Sequence, residues 1–193
     1  MSKVACTKCG ALILETTAQK NAGLCVPCKS GKRESIDAAK KWHKEQRERE
    51  KTDPYRKLWH ALVHRVHETS EGFSSLSEAE KRYFAVGLLE GEVYNGGFDQ
   101  YFFNHSGSHY KYALLGLEEM EATQTLALLQ RAKQVLFNFD EVPEDTGKRR
   151  RLLQKLASDS RSKRLDELDT QYYKDPDGLS ARIQAFARAH GLV

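Results

Sequence analysis

The chain has 193 residues, 39% of them hydrophobic and 30% charged, with 31 Lys and Arg against 27 Asp and Glu for a formal net charge of +4. This composition suits one or two ordinary domains and excludes collagen, a coiled-coil rod and a wholly disordered chain. No run of about 18 apolar residues is present, which excludes a transmembrane helix.

The opening residues Met1 to Cys6 lack the apolar core of a secretory leader, so a soluble cytoplasmic protein is expected. Charge is segregated along the chain. Residues 1–52 hold 12 basic and 6 acidic side chains, residues 68–145 hold 5 and 14, and residues 146–193 hold 11 and 6. A basic head, an acidic middle and a basic tail imply separate electrostatic faces. Solvated helix faces are the simpler account of most of these charges.

Residues 1–30 form the first unit. Its Cys6-x-x-Cys9 and Cys25-x-x-Cys28 pairs contain all four cysteines and are separated by 15 residues. In a reducing compartment such clustering points to metal rather than disulfides. Two short loops can each offer two thiolates to a tetrahedral Zn²⁺. Cys6, Cys9, Cys25 and Cys28 are therefore the expected ligands, and Gly10 eases the turn after the first pair. Four thiolates leave no open coordination position, so the metal is expected to be structural, supplying folding free energy to a segment too small for its own core. A redox role for the CxxC pairs lacks the βαβ pattern that would accompany it. The run Ala11 to Thr17 reads as a strand and Asn21-Ala22-Gly23 as a turn, giving a zinc ribbon.

Residues 31–52 read as a charged, weakly packed helical connector, with disorder as the alternative. Ser35 is placed to cap a helix over Ile36–Lys51, with Glu45 and Arg49 as an i,i+4 pair. Only Ile36, Ala39 and Trp42 offer it apolar surface. Lys3, Lys8, Lys20, Lys29, Lys32, Arg33, Lys40, Lys41 and Lys44 would favour phosphate contacts, so residues 1–52 are a candidate nucleic-acid-binding segment. Interleaved Glu residues over 45–50 dilute that patch. Asp53-Pro54 marks a boundary.

Residues 53–193 read as all-helical. Tyr55, Leu58, Trp59, Leu62, Val63 and Val66 recur at helical spacing. His60, His64 and His67 share another face of that helix, where a solvent-facing or interface role is favoured over metal binding. Ser77-x-x-Glu80 reads as a helix start, Asn95-Gly96-Gly97 as a break, and Phe98–Asn104 as a short aromatic helix. Asn95 is placed to cap that helix, and Gln100 and Asn104 share a face. Further helices are expected over Tyr110–Met120, Thr123–Phe137, Lys148–Ala157 and Arg161–Tyr173, with a last one capped by Ser180 and ending near His190. No strand and no internal repeat are expected after residue 30. Nine of the 18 aromatic residues fall between Tyr83 and Tyr112. The expected role of the Asn95–Asn104 segment is a hydrophobic hinge. Ser106 has His105 and His109 nearby in sequence, which is not triad geometry.

The run Glu92-Val93-Tyr94-Asn95-Gly96-Gly97-Phe98-Asp99-Gln100-Tyr101-Phe102-Phe103-Asn104 resembles the signature of the bacterial DNA-mimic-protein-like domain family. The resemblance extends from Tyr55 to Val193 and includes Leu165-x-x-Leu168-Asp169-x-x-Tyr172. It implies an all-α, often dimeric fold and an acidic surface that imitates DNA and occupies a DNA-binding regulator. This chain departs from a strongly acidic mimic, since residues 53–193 hold 19 basic and 21 acidic side chains. Glu90, Glu92, Asp99, Glu118, Glu119 and Glu121 are the candidates for a mimic face, with Arg149, Arg150 and Arg151 as the residues that would neutralise it. The expected function is non-enzymatic binding of a protein partner. Nucleic-acid binding through residues 1–52 is the first alternative, and an enzyme with its site at the Asn95–Asn104 junction is the second.

Overall fold

Helix dominates the computed structural model, which describes residues 2–155 and 158–193. Ten α-helices and one two-stranded sheet occur among the described residues. The chain divides into two units, Met1–Asp53 and Pro54–Val193.

In the first unit, β1 (Lys3–Ala5) pairs antiparallel with β2 (Leu12–Leu14), placing Val4 opposite Ile13. The expected strand over Ala11–Thr17 is shortened because Glu15 opens α1 (Glu15–Lys20). An acid in the first turn favours that helix start. Next come α2 (Val26–Lys29) and α3 (Arg33–Thr52). The small core consists of Cys6, Cys25 and Cys28, with Ile13 and Leu24 packed against them.

Helix α3 begins three residues before the expected Ile36. Lys32 occupies its N-cap, and Ser35 donates back to the Lys32 carbonyl at 3.0 Å instead of capping. Glu45 pairs with Lys41 at 3.9 Å, where Arg49 was the expected partner. No residue of α3 is buried. Beyond its first turn its order rests on local pairs and propensity, which contribute only tenths of a kcal/mol each.

The second unit contains α4 (Pro54–Glu68), a 3-10 turn at Gly72–Ser75, α5 (Glu78–Phe103) and a second 3-10 turn at His105–His109. It continues through α6 (Tyr110–Glu119), α7 (Thr123–Phe137), α8 (Thr146–Lys155), α9 (Asp159–Tyr172) and α10 (Leu179–Ala189). Ser77 and Glu80 form a capping box at the start of α5. That helix supplies Phe84, Val86, Leu89, Val93, Phe98, Tyr101 and Phe102 to a core shared with Leu117, Leu129, Leu136, Leu168 and Phe186. Each such side chain contributes about 1.5–3 kcal/mol by leaving water.

Two helix starts differ from expectation for local reasons. Ser158 caps α9 through the Arg161 N–H at 3.4 Å, so the helix begins before Arg161. Gly178, at φ 64°, precedes α10, and Asp175 Oδ1 accepts from the Leu179 N–H at 2.8 Å. Ser180 therefore lies inside α10, not at its cap. The expected end of α8 at Ala157 lies outside the described residues.

Candidate functional site

The four cysteine Sγ atoms all lie within 4.8 Å of one another. Cys9 and Cys25 Sγ are 3.7 Å apart. The edge of a tetrahedron with 2.3 Å metal–sulfur bonds is about 3.8 Å, whereas a disulfide requires about 2.05 Å. The first pair sits on a turn after β1, closed by Gly10 N–H to the Cys6 carbonyl at 2.9 Å, with Gly10 at φ 73°. The second pair brackets the start of α2, where Cys28 N–H donates to Cys25 Sγ at 3.4 Å and Cys25 N–H donates to Cys6 Sγ at 3.2 Å.

Arg33, at the first turn of α3, donates through Nη2 to Cys25 Sγ at 3.1 Å. The guanidinium lowers the Cys25 thiol from its ordinary range. The Cys25 backbone N–H is the main cause that brings Cys6 down to about 6. Burial pushes Cys28 up to about 12. The donor set suits a four-thiolate metal ion, with N–H donors that stabilise sulfur charge. Cys6, Cys25 and Cys28 are buried and Cys9 is exposed. Arg33 was not singled out as part of this site. Its sequence signal is a basic residue five positions beyond the second pair, indistinguishable there from other connector cations.

A second constellation occupies the break in α5. Gly96 is extended at φ −164° and Gly97 takes φ 76°, so helical bonding stops between Asn95 and Phe98. A Cβ on Gly97 would lie 2.2 Å from Asp169 Oδ2, so close approach as well as backbone conformation requires glycine. Asp169 Oδ1 accepts from the Phe98 N–H at 2.9 Å. Asn95, the expected cap, is exposed instead. Tyr173 donates to the Val93 carbonyl at 3.2 Å, and the Tyr172 ring meets Phe98 edge-on at 5.5 Å. Residues 169 and 173 are one turn apart on the α9 register. They satisfy a donor on one side of the break and an acceptor on the other. The two sequence runs behind the family resemblance thus meet in space.

Glu92, one turn before the break, gathers donors from beyond it. Gln100 Nε2 and Asn104 Nδ2 donate to Glu92 Oε2 at 2.6 and 2.9 Å, and Ser106 donates to Oε1 at 2.7 Å. Gln100 and Asn104 do share a face, and Ser106 is bound to a carboxylate instead of a histidine base. His60, His64 and His67 are exposed on α4.

The six proposed mimic acids do not form one free face. Glu90 is half-buried, and burial raises its carboxyl. Glu92 is tied into the network above. Glu119 contacts Arg82 at 2.5 Å and His190 at 2.9 Å. Asp99, Glu118 and Glu121 are exposed. Two of the three arginines expected to neutralise this face are engaged elsewhere. Arg149 is wholly buried, Arg150 donates to the Phe103 carbonyl at 2.8 Å, and Arg151 is exposed.

A family model described as DMP19-like protein matches residues 74–190, the stretch that contains both the α5 break and its α9 partners. No curated protein and no solved structure matches the chain.

Proposed function

This chain belongs to the DMP19-like protein family, and on that premise we propose that it is a zinc-stabilised, non-catalytic binding protein whose helical unit captures a protein partner. The observation that carries the proposal is the family match, because the family is DNA-mimic-like. The partner in this reading is a DNA-binding regulator, met by exposed acids such as Glu118 and Glu121. Zinc is the preferred metal because four thiolates at tetrahedral spacing suit a soft, closed site. Its contribution is folding free energy for the N-terminal unit.

The second reading is nucleic-acid binding through residues 1–52. It is favoured by the 12 basic side chains there and by a helix α3 that buries none of its residues. Affinity capture of the full chain, with and without nuclease, separates the two. A specific protein recovered after nuclease supports capture of a protein partner. Recovery that disappears with nuclease overturns it in favour of the second reading.

A further inference from the structure

A cavity of about 330 Å³ lies beside the Glu92 network, between α4, the first half of α5 and the 3-10 turn that follows α5. Its apolar walls are Val66, Phe84 and Leu88, and its polar wall includes Glu92, Ser106 and the histidines His67, His105 and His109. Spaces of several hundred Å³ with apolar walls and a few convergent polar groups are the usual form of a small-molecule site. Aromatic contacts join the elements around it. Trp59 of α4 stacks on Phe84 at 5.1 Å, and Phe73 stacks on His109 at 4.0 Å.

The wall chemistry selects the ligand. Glu92 is the only Asp or Glu among the described lining residues, which include no Lys or Arg. Its two oxygens offer about four acceptor positions. Gln100 and Asn104 occupy two on Oε2, and Ser106 occupies one on Oε1. One acceptor position therefore remains on an anion whose orientation is already fixed by three donors. Two of the three lining histidines, His105 and His109, are held toward the neutral form. Burial keeps His105 below its ordinary range and brings His109 down to about 4. His109 Nε2 is also buried without a hydrogen-bond partner, a state that buried polar atoms seldom keep.

We propose that this cavity binds a small organic cation, an amidinium or ammonium group on a flat apolar body, with its N–H head on Glu92 and its body against Val66, Phe84 and Leu88. The charge opposite Glu92 supplies orientation, and the apolar walls supply burial. The site goes beyond capture of a macromolecular partner, and either assignment can fail without the other.

The test uses three probes of nearly equal shape: benzamidine, benzamide and benzoate. Each is titrated into the full-length, metal-loaded protein at neutral pH while the imidazole resonances of His67, His105 and His109 are followed by NMR. Benzamidine is expected to shift them saturably, with the neutral and anionic probes weaker by about ten-fold or more. Glu92→Gln is expected to remove that preference, and Val66→Trp, which leaves the carboxylate in place but fills the cavity, is expected to block benzamidine. Equal binding of benzamide or benzoate overturns the proposal, as does the absence of imidazole shifts with all three probes. Unchanged benzamidine binding by either folded variant overturns it too. Should Glu92→Gln fail to fold, the wild-type probe series and Val66→Trp decide the matter.

Discussion

Arg149 has no exposed surface, yet all six of its hydrogen-bond acceptors are neutral. Nε donates to the Phe102 carbonyl at 2.6 Å and Nη2 to the Asn104 carbonyl at 2.5 Å, at the C-terminal end of α5. Nη1 reaches the Pro143 carbonyl at 2.6 Å. A cation suits the negative end of a helix, and five planar donors can bind several diverging carbonyls at once. Arg149→Ala would leave one buried and three partly buried carbonyls without this donor, at up to about 1–3 kcal/mol each. The expected loss in denaturant unfolding is on the order of 3–5 kcal/mol, against less than about 0.5 for the exposed Arg151→Ala. Equal stability of the two variants would refute this role. His109 gives a pH signature. Its pKa in the folded protein, about 4, is below the ordinary 6.5, so the unfolded chain takes up a proton that the folded one refuses. Stability should therefore fall as pH drops from about 6.5 to about 4 and lose this dependence below that range. His109→Phe should flatten that part of the profile relative to wild type, as read from denaturant midpoints at stepped pH. At the thiol cluster, Arg33→Ala should weaken binding of the proposed zinc by about ten- to a hundred-fold in chelator competition, the usual effect of removing a group that orients a ligand. An unchanged affinity would make the Arg33–Cys25 contact incidental.

Helix α5 is broken in its middle, and its stability depends on α9. Asp169 and Tyr173 supply hydrogen bonds that the helix forfeits at Gly96 and Gly97. Phe98, fully buried against Tyr172, locks the resumed helix into the core. Phe98→Ala is expected to cost about 3–5 kcal/mol. Gly97→Val should be at least as damaging, since a branched side chain must take φ 76° and displace Asp169. Melting curves of both variants check this. Two wild-type-like curves would make the junction a surface feature instead of a structural one. Helix α3 differs in kind. It has no buried face, and Arg33 ties its first turn to the sulfur cluster. Chelating the proposed zinc should therefore reduce helicity in the far-UV.

Across the whole chain, the opposite charges of residues 1–52 and 68–145 give the two binding readings separate signatures. Nucleic-acid binding through the first unit would weaken steeply with salt through counterion release, and Lys40→Gln, Lys41→Gln and Lys44→Gln together would reduce that slope. Capture of a protein partner by exposed acids would instead be weakened by Glu118→Gln with Glu121→Gln. Glu119 is left intact in this test because its loss would also break contacts to Arg82 and His190. A double variant that captures its partner as well as wild type would place the interface elsewhere.

Much of this architecture was legible along the chain because its causes are local. The helical class followed from apolar spacing, α7 from its own periodicity, the α5 start from Ser77 and Glu80, and the α5 break from adjacent glycines. The thiol cluster was legible because ligand spacing within each pair is a property of a few consecutive residues. Other features depended on partners distant in sequence. Asp169 caps a segment 71 residues away, which displaces the local candidate Asn95 from that role. Arg149 reads as one of three consecutive arginines that would neutralise an acidic face, but its actual partners are carbonyls 45 and 47 residues away as well as close neighbours. Glu92 reads as surface acid, yet three donors from the following turns converge on it. Sequence periodicity determines which residues face inward, because that follows from backbone repeat. Only tertiary packing decides which polar groups lose water, and therefore which must find partners in other elements.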